Sequence, residues 1–298
     1  MRRIQLNVSI GLIGLDTSHV EIFTKLLHEH PHEYSNAKVT IGTPYPSFDL
    51  EISRDRVEGY TTTLKNKYNV TIADSIKKVA EKSDAMMITS VDGRKHLEIF
   101  KQVVHYQKPI FIDKPLAMSV WEAEEIFSLS EEYRTPIMSS SSLRYADSLV
   151  KLLQAKEERP TGVYLKGPLP FIRQMPYYFW YGVHMIEMLL TIMGTSFKSI
   201  SIQANEQFDV ITTEFLDGRF GTIYGDRHWH GKFEAFIHFG NETIHLPIYR
   251  DEKPYYAGLL DNVIPFFISG KSPISKEEML SVLRFVEEAS EKRDKISR

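Results

Sequence analysis

The chain has 298 residues, enough for two domains of ordinary size that each bury a core. Its 36 basic and 39 acidic residues form no long run of one sign, so it lacks the electrostatic footprint of a nucleic-acid or membrane-surface binder, and a small molecule is the default partner. There is no cysteine, which excludes disulfide frameworks, thiolate zinc sites and cysteine nucleophiles and suits a reducing compartment such as the cytoplasm.

The opening "MRRIQLNVSIGLIGL" places two arginines before an apolar stretch, as a signal peptide would. However, Gln5, Asn7 and Ser9 alternate with Leu6, Val8 and Ile10, which is strand periodicity, and no small-residue cleavage site follows. No other apolar run is long enough to cross a membrane. Val8 to Ile13 then reads as a buried strand, Ser18 to His28 as a helix, Lys38 to Ile41 as a strand, and Arg54 to Tyr68 and Ser75 to Lys82 as helices. Asp84 to Thr89, His96 to Tyr106 and Pro109 to Ile112 continue as strand, helix, strand. This alternation predicts an α/β fold, a Rossmann-like doubly wound parallel sheet over residues 1–118, with ligands at the carboxyl ends of the strands near Gly14, Thr89 and Asp113.

Residues 119–298 differ in character. Val120 to Tyr133 is helical in pattern, and "TPIMSSSSLRY" reads as a strand entering a polar loop. Several β-rich segments follow between Phe197 and Leu246, with turn signals at Asp217-Gly218 and Gly240-Asn241, and two helices close the chain, the last opened by a capping box at Ser275 and Glu278. The expectation is a C-terminal α+β domain with an open, largely antiparallel sheet, joined to the first at a packed junction. In "DRHWHGKF", His228 and His230 stand at the spacing of one strand face, but no third ligand accompanies them and no metal is expected.

Candidate cofactor residues begin in "GLIGLDTSHV", at the strand-to-helix turn where dinucleotide-binding proteins carry G-x-G-x-x-G. Gly14 is the first glycine of that register, Asp16 stands at the second and His19 at the third. Asp16 adds negative charge on the path of a pyrophosphate and His19 adds bulk where helix and strand pack closely. Thr17 and Ser18 offer hydroxyls to a phosphate, and Ser18 with Glu21 makes a capping box. The turn is therefore expected to bind a nicotinamide dinucleotide more weakly and displaced outward, with His19 either facing the phosphates or packing against Tyr34. Gly42 and Thr43, not an acid, end the second strand, while Ser53, Arg54 and Arg56 follow and would suit a ribose phosphate, so NAD and NADP both stay open.

Two further motifs carry a resemblance. "KPIFIDKPLA" puts Asp113-Lys114-Pro115 at the end of an apolar strand, and "WYGVHMIEML" puts Gly182-Val183-His184 on a helix with Glu187 three residues on, hence on the same face. Together with His96 opening the helix after "SVDGRK", the chain resembles the Gfo/Idh/MocA oxidoreductases over nearly its whole length. The resemblance implies hydride transfer between NAD or NADP and a hydroxyl-bearing carbon of a sugar, inositol or related polyol, with Lys114 and His184 as the acid–base pair. It further implies cofactor contacts at Gly14, Asp16, Thr17, Ser18, His19, Thr89, His96, Asp113, Lys114 and Pro115, and a homodimer or homotetramer assembled through the open sheet. Many relatives have an aspartate four residues before the histidine; here Trp180 stands there, so Glu187 or Tyr181 would have to orient His184. Trp180 and Tyr181 belong to an aromatic run that serves equally as junction core or as a platform for a sugar ring, and Ser140 and Arg144 fall in a segment that lines the crevice of relatives. Two other readings remain: a cofactor-free binding or regulatory protein on the same fold, and an NAD-dependent epimerase or glycosidase working through a transient keto intermediate.

Overall fold

Val8–Ile13 (β1) is buried at every position except Ser9, as a strand covered on both faces must be. It lies inside a sheet of six parallel strands completed by β2 (Ala37–Thr43), β3 (Thr71–Ile72), β4 (Ala85–Ile88), β5 (Ile110–Ile112) and β6 (Ile137–Ser139), in the order β3-β2-β1-β4-β5-β6. The chain winds outward from β1 in one direction and then from β4 in the other, so the carboxyl ends of β1 and β4 flank the switch point where such sheets bind ligands. The helices are α1 (Ser18–Glu29), α2 (Glu51–Arg54), α3 (Val57–Tyr68), α4 (Ile76–Lys82), α5 (His96–Val103) and α6 (Val120–Tyr133). α1 packs on α3, and α5 packs on α4 and α6.

This computed structural model describes residues 7–30, 34 and 36–297, so the expected alternation at Gln5 and Leu6 lies outside the described residues. The chain divides into two compact units, Met1–Ser139 with Leu260–Lys276 and Ser140–Leu259 with Glu277–Arg298. The first unit thus runs past residue 118, because β6 pairs with β5 in the same parallel sheet and a later segment returns to it. Three local expectations change as well. The helix expected from Arg54 begins at Val57, because Ser53 in the preceding short helix is drawn into hydrogen bonds with Asp16 and Ser47. The helix from His96 ends at Val103, followed by a tight 3-10 turn that a left-handed Gln107 closes. The N-cap of α1 is Thr17 and not Ser18, its hydroxyl accepting from His19 N.

The second unit holds β7 (Gly162–Pro168), β8 (Phe197–Ala204), β9 (Phe208–Phe215), β10 (Phe220–Asp226), β11 (Glu234–Phe239) and β12 (Glu242–Leu246), in the order β12-β11-β7-β10-β9-β8. Every neighbouring pair is antiparallel except β7 with β10. Two turns expected from sequence close hairpins here, at Gly218 and Gly240, both with positive φ. The strand β7 was not anticipated, although Val163 and Leu165 are buried and alternate with the half-buried Tyr164 and Lys166. The unit's helices include α7 (Asp147–Ala155), α8 (Gly182–Met193) and α10 (Lys276–Ser297); α9 (Tyr255–Ser269) starts in this unit and ends in the first. α8 is buried at every position but Thr191 and packs on β7 and β10, and Phe285 of α10 meets Phe197 of β8 edge-on at 5.1 Å. His228 and His230 do not share a strand face, because β10 stops at Asp226 and residues 227–233 form a loop. Among the described residues, no helix is long and apolar enough to cross a membrane.

Gly14 shows why the first glycine of the turn is retained. Its φ is +91°, and a Cβ there would lie 2.4 Å from the backbone nitrogen of Ser90, which cannot swing aside. Gly59 in α3 is the contrasting case, since a Cβ there meets nothing within 4 Å. Thermal unfolding should therefore show Gly14→Ala destabilised by more than about 2 kcal/mol, and Gly59→Ala stabilised by about 0.5 to 1 kcal/mol. Equal effects of one sign would refute this account of the turn.

Candidate active site

The residues singled out in the first unit converge on the carboxyl ends of β1, β4 and β5. Asp16, in the turn after β1, is fully buried, and its carboxylate accepts from Val91 N at 2.9 Å and from the Ser53 hydroxyl at 2.5 Å. Its carboxylate therefore fastens the turn after β1 to the segments after β2 and β4. Burial pushes its pKa above the usual aspartate value, opposed by those two donors. Gly14 N donates to Thr43 O and the Thr89 hydroxyl donates to Gly14 O, so the turn is also tied to the ends of β2 and β4. These bonds hold the turn against the ends of β2 and β4.

His19 Nδ1 lies 2.5 Å from Asp113 Oδ2. Tyr34 donates to Asp261. Burial alone would raise the Asp113 carboxyl, but the His19 ring first and then Lys114 hold it down at about 2. Lys114 itself is pushed below its ordinary value by burial, and Asp113 beside it resists the shift. The Lys114–Pro115 peptide is cis, and the carbonyl of Pro115 faces His96 Nδ1 at 2.8 Å while His96 Nε2 faces Ser90 O at 2.9 Å. His96 is thus buried between two backbone segments and clamps the lysine turn to the end of β4. The Ser90 hydroxyl beside Gly14 is buried without a hydrogen-bond partner among the described residues. A buried donor left in this state costs about 1 to 3 kcal/mol, and a polar ligand at this edge would satisfy it. Of the residues expected to hold a ribose phosphate, Ser53 is engaged by Asp16, and Arg54 by Asp55 and Phe48 O.

The second unit gathers His184, Glu187, Trp180, Tyr181 and Arg144. Glu187 is buried, and its carboxylate accepts from the Ser140 hydroxyl at 2.6 Å and from Ser141 N at 2.7 Å. Burial raises its pKa, opposed chiefly by the Arg144 charge. The Ser141 hydroxyl lies 2.7 Å from His184 Nδ1, so the acid expected to orient the histidine reaches it through a serine. Arg144 is mostly buried in an ion pair with Glu278 at 2.6 Å. Tyr181 meets Trp180, His184 and Trp229 at centroid distances of 5.4, 5.5 and 4.8 Å, which leaves Trp229 largely exposed at the edge of an aromatic patch. The patch is anchored from below, where Tyr178 donates to Asp209, a buried carboxylate also held by Arg227 and Arg293. Sequence reasoning missed Ser141 and Trp229. Both stood in quoted segments, one read for its neighbour Ser140 and the other for its histidines.

Two substitutions test this geometry. Asp16→Gly restores the second glycine of the usual turn but strips Val91 N and Ser53 of their acceptor, so the melting temperature should fall with a loss of about 1 to 3 kcal/mol. Asp113 has a folded pKa below its unfolded one, so its contribution is complete above about pH 4 and is lost as pH falls toward 2. Asp113→Asn should flatten the acid limb of the stability profile by about 2 kcal/mol, and an unchanged limb in denaturant titrations would count against the pairing with His19.

No curated protein matches the chain by sequence. Among solved structures, UDP-N-acetylglucosamine 3-dehydrogenase GnnA from Acidithiobacillus ferrooxidans is similar with a TM-score of 0.77 at 11% identity, over 96% of this chain and 98% of that one. Myo-inositol 2-dehydrogenase from Lactobacillus plantarum gives 0.76 at 14% identity over 97% of each chain. GenD2 from gentamicin A biosynthesis, in complex with NAD, gives 0.75 at 12% identity over 96% and 94%. At these identities the likeness is one of fold. Residues 10–140, somewhat under half of the chain, match the Gfo/Idh/MocA family model, that of an oxidoreductase family with an NAD-binding Rossmann fold.

Proposed function

We propose that the protein is an NAD(P)-dependent dehydrogenase acting on a sugar, an inositol or a related polyol. The observation that carries this reading is Lys114 at the carboxyl end of β5, next to a carboxylate that stays ionised and with its own pKa lowered by burial. Oxidising an alcohol needs a group that takes the hydroxyl proton as hydride leaves the same carbon, and an amine tuned downward from the ordinary lysine value suits that task. A bound nicotinamide supplies the hydride acceptor. On the protein side, Gly14 lets the turn approach closely, Thr17 and Ser18 stand at the start of α1, and Ser90 offers its unused hydroxyl. Trp180, Tyr181 and Trp229 would receive the apolar face of a sugar ring while His184 meets its hydroxyls. The substrate class draws support from the nucleotide-sugar and inositol dehydrogenases among the structural neighbours. With Ser53 and Arg54 already engaged, we favour NAD over NADP.

Calorimetric titration with NAD, NADH, NADP and NADPH tests the cofactor. Binding of NAD or NADH below millimolar concentration is expected, and binding of none would leave a cofactor-free binding protein in its place. With a polyol panel, net accumulation of NADH identifies oxidation, whereas turnover without accumulation identifies redox-neutral chemistry. Lys114→Ala should melt like the parent and lose kcat by about 100- to 1,000-fold, on the order of 2.7 to 4 kcal/mol in the barrier. Retained turnover would remove Lys114 from the mechanism.

We also propose a homodimer or homotetramer built through the second sheet. The face opposite α8 carries the half-buried side chains of Tyr164, Phe208, Val210, Tyr224 and Phe236, with Phe208 stacked on Tyr224 at 5.1 Å. Tyr224→Asp should convert the assembly to monomers in sedimentation velocity, and a parent already monomeric at micromolar concentration would refute it.

A further inference from the structure

The geometry points to Ser141 as a positioning residue that holds the neutral His184 ring as its Nε2–H tautomer. The Ser141 hydroxyl is fully buried and has two partners among the described residues: Leu143 N, which can only donate to it at 3.2 Å, and His184 Nδ1 at 2.7 Å. A serine hydroxyl carries one hydrogen, and with Leu143 as a donor its hydrogen has His184 Nδ1 as its acceptor. Nδ1 must then offer a lone pair, which puts the proton of the neutral imidazole on Nε2. In the opposite tautomer Ser141 would accept twice and its own hydrogen would be buried with nothing to receive it, a state that folded proteins avoid.

The serine cannot turn away from this role. Its backbone N–H is held by Glu187 Oε2, the neighbouring Ser140 hydroxyl is held by Glu187 Oε1, and its hydroxyl caps the 3-10 turn at Ser142–Tyr145. Glu187 lies three residues after His184 on α8, on the same helix face, and acts on the ring by fixing the segment that carries Ser141. Whatever the Nε2 edge meets, it meets as a hydrogen-bond donor. If the dehydrogenase reading above holds, on which this consequence rests, His184 meets a substrate oxygen as a donor and does not itself take the hydroxyl proton.

The test reads the ring directly and needs neither cofactor nor substrate, so its failure is separable from failure of the dehydrogenase reading. The full-length protein is labelled with 15N-histidine, and two-bond proton–nitrogen correlations are recorded at a pH where the imidazole is neutral, with His184 assigned by its disappearance in His184→Gln. The parent should show a protonated Nε2 and an unprotonated Nδ1. Ser141→Ala should show a mixture of tautomers, and Ser141→Thr, which keeps the hydroxyl, should restore the single form. An Nδ1–H pattern in the parent, an unaltered single Nε2–H form in folded Ser141→Ala, or a mixture in Ser141→Thr would each overturn the inference. If Ser141→Ala fails to fold, the parent and the threonine variant still decide.

Discussion

A carboxylate removed from water must be met by donors, and the turns at the carboxyl end of the first sheet are arranged around two such groups. Asp16 gathers Ser53 from α2 and Val91 from the segment after β4; Asp113 gathers His19 from α1 and the backbone N–H of Lys114. Four segments far apart in sequence are thereby fixed against one another at the switch point of the sheet. The position of Lys114 follows from this, because the same contacts that satisfy Asp113 set the end of β5 from which the lysine projects. His96 completes the arrangement by bridging the carbonyls of Ser90 and Pro115.

The second unit solves a similar problem with different residues. Glu187 is buried on an apolar helix, where an unpartnered charge would be costly, and Ser140 with Ser141 supplies its donors. The consequence reaches the histidine on the same face of α8, since Ser141 is held between the carboxylate and the ring. An aspartate in hydrogen-bond contact with a histidine would fix it by charge; a serine fixes it by the direction of one hydroxyl. Trp180 joins Tyr181 and Trp229 in an aromatic patch.

The two glycines missing from the turn after β1 are accounted for by these bonds. In the usual pattern the second glycine lets backbone approach a pyrophosphate and the third lets helix and strand pack closely. Here Asp16 takes the second place and spends its carboxylate on the protein's own loops, and His19 takes the third and spends its ring on Asp113. The first glycine has no such substitute, because its positive φ and its closeness to Ser90 N both require the absence of a side chain. The turn is braced by polar side chains where the usual pattern has small residues.

The sequence by itself determined the local architecture. Period-two alternation, the apolar runs of β1 and β4, the glycine turns at Gly218 and Gly240, and the strand-end lysine were legible because each depends on residues a few positions apart. The α/β character and the change to a second sheet followed from those signals alone. The tertiary structure decided which groups meet. Asp16 finds donors 37 and 75 residues away, His19 finds Asp113 across 94, and Ser141 finds His184 across 43. Read along the chain, Asp16 looked like a charge facing a phosphate and Glu187 like the direct partner of the histidine. Nothing in the local pattern could say otherwise, because the direction of a polar side chain is set by which donors the sheet order brings beside it. The reach of the first unit to β6, and its recovery of residues 260–276, were decided in the same way, by strand pairing and packing between segments that no local periodicity connects.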